Sequence, residues 1–118
     1  MEFLHRFDVW LPLNDKNGDK IDRLKFIDVQ IEIRRRFGGL TTTPIVGNPV
    51  YEGYWEDPDT KKPSLDVSTI YTVLTPKDFE SYQFFVEKKE VWVTLFNYQL
   101  LLITVYPVEV LTARERKE

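Results

Sequence analysis

An α+β domain, a four-stranded antiparallel sheet with two helices on one face, is the fold class predicted by this 118-residue sequence. Three observations predict it. The opening residues alternate with a period of two, two later segments repeat apolar residues at helical spacing, and turn-forming clusters separate the segments into strand, helix, strand, strand, helix, strand. The 42% hydrophobic and 30% charged content is that of a globular chain. A chain of this length buries enough surface to hold a core without staples. One domain over residues 1–112 and a charged tail at 113–118 are expected.

The first strand starts at Phe3, where Phe3, Phe7, Val9 and Leu11 share one parity and Arg6, Asp8 and Trp10 share the other. Asp15-Lys16-Asn17-Gly18 then supplies a turn, because Asn and Gly tolerate the left-handed backbone of a tight reversal. Leu24, Ile27 and Ile31, joined by Ile33 and Phe37, predict a first helix from about Lys20 to Phe37, with Asp19 as its cap. Arg34, Arg35 and Arg36 fall in its last turn, where cations suit the helix dipole, and Gly38-Gly39 supplies the stop. The Arg triplet reads as a solvated helix end before it reads as an anion patch.

Leu40 to about Trp55 is rich in Thr, Val and Tyr but broken by Pro44, Gly47 and Pro49, which predicts an interrupted second strand at a sheet edge. Glu56 to Pro63 is a polar hairpin loop, and Asp66 to Thr75 the third strand. Thr75 as cap, Pro76 at the first helical position and Asp78 in the first turn predict where the second helix starts. It runs to about Asn97, since Phe85, Trp92 and Phe96 keep helical spacing through the β-branched Val91-Trp92-Val93-Thr94. Leu100 to Leu111 is the last strand, an apolar run of the kind found deep inside a sheet.

This order is the split βαβ pattern of ferredoxin-like domains, in which strands one and three are central. Right-handed crossovers place both helices on one face and leave the other open. Arg6, Asp8 and Trp10 belong on that open face, because Phe7, Val9 and Leu11 are the better core residues. Asp8 lies inside its strand, and Arg6, two residues away on the same face, can pair with it.

Four fragments carry a resemblance: Phe7-Asp8-Val9-Trp10-Leu11-Pro12-Leu13 with its following turn, Arg36-Phe37-Gly38-Gly39-Leu40-Thr41, Gly53-Tyr54-Trp55-Glu56-Asp57, and Tyr71-Thr72-Val73. Together, from Phe7 to about Ile103, they resemble a family of small bacterial proteins with an L-P-L strand end, an R-F-G-G-[LV]-T helix stop and a G-x-W hairpin. The resemblance implies the topology and assigns neither an activity nor catalytic residues.

Composition excludes more functions than it suggests. With no cysteine, a disulfide framework, a thiolate metal site and a cysteine nucleophile are ruled out, and a cytoplasmic location is expected, with no leader read at Met1–Asp8. A net charge of −3 spread over both halves lacks the field that gathers phosphate backbones, so a nucleic-acid partner is not expected. No segment suggests a membrane span, which would need ~18 consecutive apolar residues.

The single histidine, His5, has no nucleophile elbow beside it. In Asp15-x-Asn17-Gly18, calcium-loop register puts Leu13 at the first ligand position and Leu24 at the twelfth, where acids are required. Asp57, Asp59 and Asp66 are explained by loop solubility. No glycine run forms a phosphate or dinucleotide cradle. No catalytic residue, metal ligand or cofactor is therefore assigned.

Aromatic content, 14% of the chain, is the feature above background. Arg6, Asp8, Trp10, Trp55 and Tyr71 are the candidate binding residues, since stiff amphipathic side chains on an open sheet hold stacked ligands or another protein. The expectation is an interaction or oligomerisation domain using the open face or the edge strand, with a second copy of the chain or another protein as partner. The alternative is a small ligand-binding protein or enzyme with a pocket near Trp10, Trp55 and Asp8.

Overall fold

A computed structural model describes residues 2–43, 51–56, 61 and 63–113, with side chains for all of these except 51–56 and 63–66. In chain order the elements are β1 (Glu2–Pro12), α1 (Arg23–Phe37), β2 (Thr41–Thr42), β3 (Tyr51–Glu56), β4 (Pro63–Pro76), α2 (Phe79–Leu95) and β5 (Leu102–Val110). All pairings are antiparallel, in the spatial order β2-β4-β1-β5, with β3 also on β4. β2 pairs with Tyr71 and Thr72, and β3 with Pro63 to Ser68, so the two share one strand position beside β4. This is the interrupted edge strand that the prolines predict; Pro44, Gly47 and Pro49 lie outside the described residues, as does most of the hairpin loop. β4 and β1 are central, and the fold class is the one expected.

Several boundaries differ from expectation, each for a local reason. α1 starts at Arg23, not near Lys20, and its cap is Asp22, whose Oδ1 accepts the Leu24 N–H at 2.9 Å. Asp19 is occupied elsewhere. Its N–H donates to Asp15 Oδ1 at 3.0 Å, while Lys20 bridges back to Asn14 and buried Ile21 donates its N–H to the Leu13 carbonyl. The chain therefore folds back along the end of β1 before it can turn helical. The other end of α1 is as expected: Gly38 adopts φ 91°, which only glycine takes at low cost, and its N–H closes on the Arg34 carbonyl at 2.8 Å.

Likewise, Thr75 and Pro76 do not open α2. They finish β4, opposite His5 and Leu4, and Asp78 is the cap, accepting the Ser81 N–H at 2.8 Å. The β-branched stretch at Val91 is helical, as the spacing predicts, and Phe96 caps α2 just before Asn97 turns left-handed at φ 49°. For β5 the expected strand order and the deep-sheet reading of its apolar run disagree, and the order is the one seen. Among the described strands it pairs only with β1, so its apolar run sits at an edge; Leu101 is buried, whereas Leu100 and Leu102 are exposed.

Both helices pack on the face that carries Phe7, Val9 and Leu11. Phe26, Val29 and Ile33 of α1 and Phe85 and Trp92 of α2, with Phe96 at its cap, close over them together with Tyr71 and Val73. Phe7 stacks on Phe85 with centroids 4.1 Å apart, and Phe37 stacks on Phe85 in turn. Fully burying each such side chain stabilises the fold by roughly 1.5–3 kcal/mol. The Trp92 indole N–H is not orphaned: it donates to Glu32 Oε2 at 3.1 Å, where Lys88 also pairs. Among the described residues no helix is long and apolar enough to cross a membrane.

Candidate functional site

The face of the sheet that the helices leave open is organised around one carboxylate. Because side chains alternate along a strand and registered partners share a face, Arg6, Asp8 and Trp10 of β1 lie with Ile70, Thr72 and Leu74 of β4 and with Leu102, Thr104 and Tyr106 of β5. Asp8 is central in this array, and although no helix covers it, the residue is only 6% exposed.

Its burial is compensated by three side-chain donors. Arg6 Nε reaches Oδ1 at 3.0 Å, Thr72 Oγ1 donates to the same oxygen at 2.8 Å, and the Tyr106 hydroxyl donates to Oδ2 at 3.0 Å. A carboxylate withdrawn from water needs such partners, because its lone pairs no longer meet solvent. Thr72 comes from directly across the ladder. Tyr106 comes diagonally, since its registered partner is Arg6, and a side chain of phenol length spans that diagonal.

Arg6 also lies over the Tyr106 ring, 5.2 Å from its centroid, so one guanidinium serves the carboxylate and covers the aromatic face. Burial raises the Tyr106 phenol above its ordinary pKa, donation to Asp8 and the nearby negative charge add to this, and Arg6 opposes it. The phenol therefore stays a donor throughout the physiological range. Trp10 flanks the group, its indole N–H reaching Thr104 Oγ1 at 3.3 Å.

Asp8 is thus a positioning residue, and the groups it holds are the ones turned outward. The Arg6 side chain keeps 41% of its surface exposed, against 8% for that of Asp8, and Tyr106 and Leu74 are exposed beside it. A charged planar group, a phenol and an indole, fixed side by side on a rigid sheet, can stack a flat ligand and hydrogen-bond its edge. Among the described residues no group of three histidine, aspartate or glutamate side chains is gathered as metal ligands.

Of the five sequence candidates, Arg6, Asp8 and Trp10 are brought together. Tyr71 is not. It stands on the helix side of β4, fully buried, its hydroxyl accepting from Gln30 Nε2 at 2.8 Å and donating to the Phe26 carbonyl, and burial pushes its pKa up. Trp55 registers opposite Ser64, six residues along β4 from the Ile70 that faces Trp10, or roughly 20 Å of strand. Its side chain lies outside those described.

Thr72 and Thr104 are the residues that sequence reasoning passes over. Tyr106 is one of the aromatics on the predicted strands but not one of the five candidates. The two threonines give no signal, since either reads as an ordinary strand residue.

No family model and no curated protein matches this chain. A solved structure does match in fold: a phage SAM lyase in complex with S-methyl-5'-thioadenosine, at a TM-score of 0.58 and 11% sequence identity, over 91% of this chain and 90% of that chain. The likeness at that identity is one of fold.

Proposed function

We propose that the open face is a binding face for a small, flat, polar ligand of the nucleoside type, presented by Arg6, Trp10 and Tyr106 and organised by Asp8. The observation that carries this reading is the buried Asp8 with its three donors on a face without helices. A purely structural sheet would be more stable with a branched apolar residue there, because a carboxylate has to recover its desolvation cost. Placing it there fixes its neighbours in one geometry.

The phage SAM lyase of similar fold, solved with S-methyl-5'-thioadenosine, makes that compound and S-adenosylmethionine the first ligands to test. Stacking of an adenine on Trp10 or Tyr106, with Arg6 at its polar edge, is the kind of contact such a surface offers. Isothermal titration of the chain with each compound should give saturable binding, weakened at least tenfold in Asp8→Asn and in Arg6→Ala. Absence of binding by both compounds overturns this reading.

A second reading is favoured by a different observation. Leu74, Leu102 and Tyr106 rim the polar centre with exposed apolar surface, the pattern of a protein contact with a charged pair at its middle. On that reading the face docks a partner. Leu74→Lys would then lower association and leave small-ligand binding nearly intact.

A further inference from the structure

We infer that β5 is the strand through which two copies of this chain pair, edge to edge and antiparallel, continuing the sheet across a two-fold axis near Thr104. The inference does not rest on the ligand reading. It starts from where β5 is exposed: Leu102 and Tyr106 at 43% and 38% on the open face, and Val105 at 38% on the helix face. Exposure on both faces of one strand means that its outer flank is bare. A partner resting on either face would cover half of this surface, whereas a strand alongside, in the plane of the sheet, covers all of it.

The chemistry of that edge selects a second copy. The eighteen residues between Glu90 and Glu109 carry no charge, in a chain that is 30% charged, so β5 can lie against itself without opposing like charges. With the axis at Thr104, Leu102 faces the partner's Tyr106 and Ile103 faces the partner's Val105. Pro107 and Glu109, the residue types that discourage edge pairing, fall beyond the end of the partner's strand, since β5 begins at Leu102. The opposite edge is built differently. β2 has two residues, and β3 carries Glu52 and Glu56, which would meet their own kind. Pairing through β5 would also place Thr104 and Tyr106, which hold Trp10 and Asp8, beside the axis.

Light scattering on the ligand-free chain, compared with Val105→Lys, tests the inference. Val105 is exposed on the helix side, away from the Asp8 network, and the substitution sets two ammonium groups close to the axis. The expected result is twice the 14.1 kDa of one chain for the wild type and a single-chain mass for the variant, with an unchanged circular dichroism spectrum. A single-chain mass for the wild type overturns the inference. So does a dimer that persists in Val105→Lys and dissociates in Leu74→Lys, which would move the contact to the open face. Should Val105→Lys fail to fold, hydrogen exchange of the wild type decides: amides of residues 102–106 must exchange more slowly as concentration rises through the micromolar range, and exchange independent of concentration refutes the pairing.

Discussion

The two faces of β1 are read from the same eleven residues, and the fold uses them in opposite ways. Phe7, Val9 and Leu11 are sealed under two helices within the apolar core, and their contribution is burial. Arg6, Asp8 and Trp10, interleaved with them, form a network of charge-assisted and neutral hydrogen bonds with no helix above. The helix side tolerates exchange of one apolar shape for another at modest cost. The open side does not, because removing a donor leaves the buried Asp8 carboxylate short of a partner. One face therefore carries stability, and the other carries a fixed arrangement of functional groups that the rigid sheet makes affordable.

The sharpest break in this comparison is on the helix side. Trp92 is fully buried between Phe84, Phe85 and the Glu32 carboxylate, so Trp92→Ala should lower the free energy of unfolding by ~3–5 kcal/mol, read by urea denaturation. On the open side, Asp8→Ala removes the acceptor shared by Arg6, Thr72 and Tyr106 and should cost about 1–3 kcal/mol. If instead the variant were as stable as the wild type, the network would contribute nothing to the fold and the contrast between the faces would need restating.

Much of that contrast was legible. The parity of Phe7, Val9 and Leu11 against Arg6, Asp8 and Trp10 assigns each to its face, because β1 alternates cleanly. β4 does not alternate: Ile70, Tyr71, Thr72, Val73 and Leu74 offer apolar and polar candidates to both sides, so Tyr71 reads as an open-face aromatic although it is core. β5 misleads in the other direction. An uncharged apolar run suggests a central strand, whereas the strand order expected for the split βαβ pattern places it at the edge where it is found. The partners of Asp8 were beyond reach for a related reason: Thr72 and Tyr106 stand 64 and 98 residues away, and nothing in local pattern couples such positions. Helix starts failed by one turn or less, because Asp19 and Thr75 are competent caps by type but are held in other backbone structure.

Smaller effects follow from titration, where the two faces behave alike. Tyr71 on the helix side and Tyr106 on the open side both have pKa values raised above the ordinary 10.0, chiefly by burial. A raised folded value means that each contributes stability fully present below pH about 10 and lost as pH rises through the folded pKa. Phenolate absorbance on alkaline titration should show Tyr71 and Tyr106 ionising late, and Tyr106→Phe should remove one late component. At the other extreme, the Asp78 cap is lowered below 3.8 by its hydrogen bonds with Ser81. Its contribution is present above that value and is lost as pH falls through the lower folded pKa, so Asp78→Ala should flatten the acid limb of a stability profile below about pH 4 and leave the neutral range little changed in slope.

The account turns on Trp10, whose indole N–H the open face holds through Thr104. Titration calorimetry with S-methyl-5'-thioadenosine and urea unfolding, performed on the same Trp10→Ala preparation, separate its two conceivable roles. The account predicts that affinity falls by ~2 kcal/mol or more, as for a stiff aromatic anchor, while the free energy of unfolding changes by less than ~1.5 kcal/mol. A loss of ~3–5 kcal/mol in stability, with affinity per folded molecule unchanged, would make Trp10 a core residue and contradict the reading of this face as a binding surface.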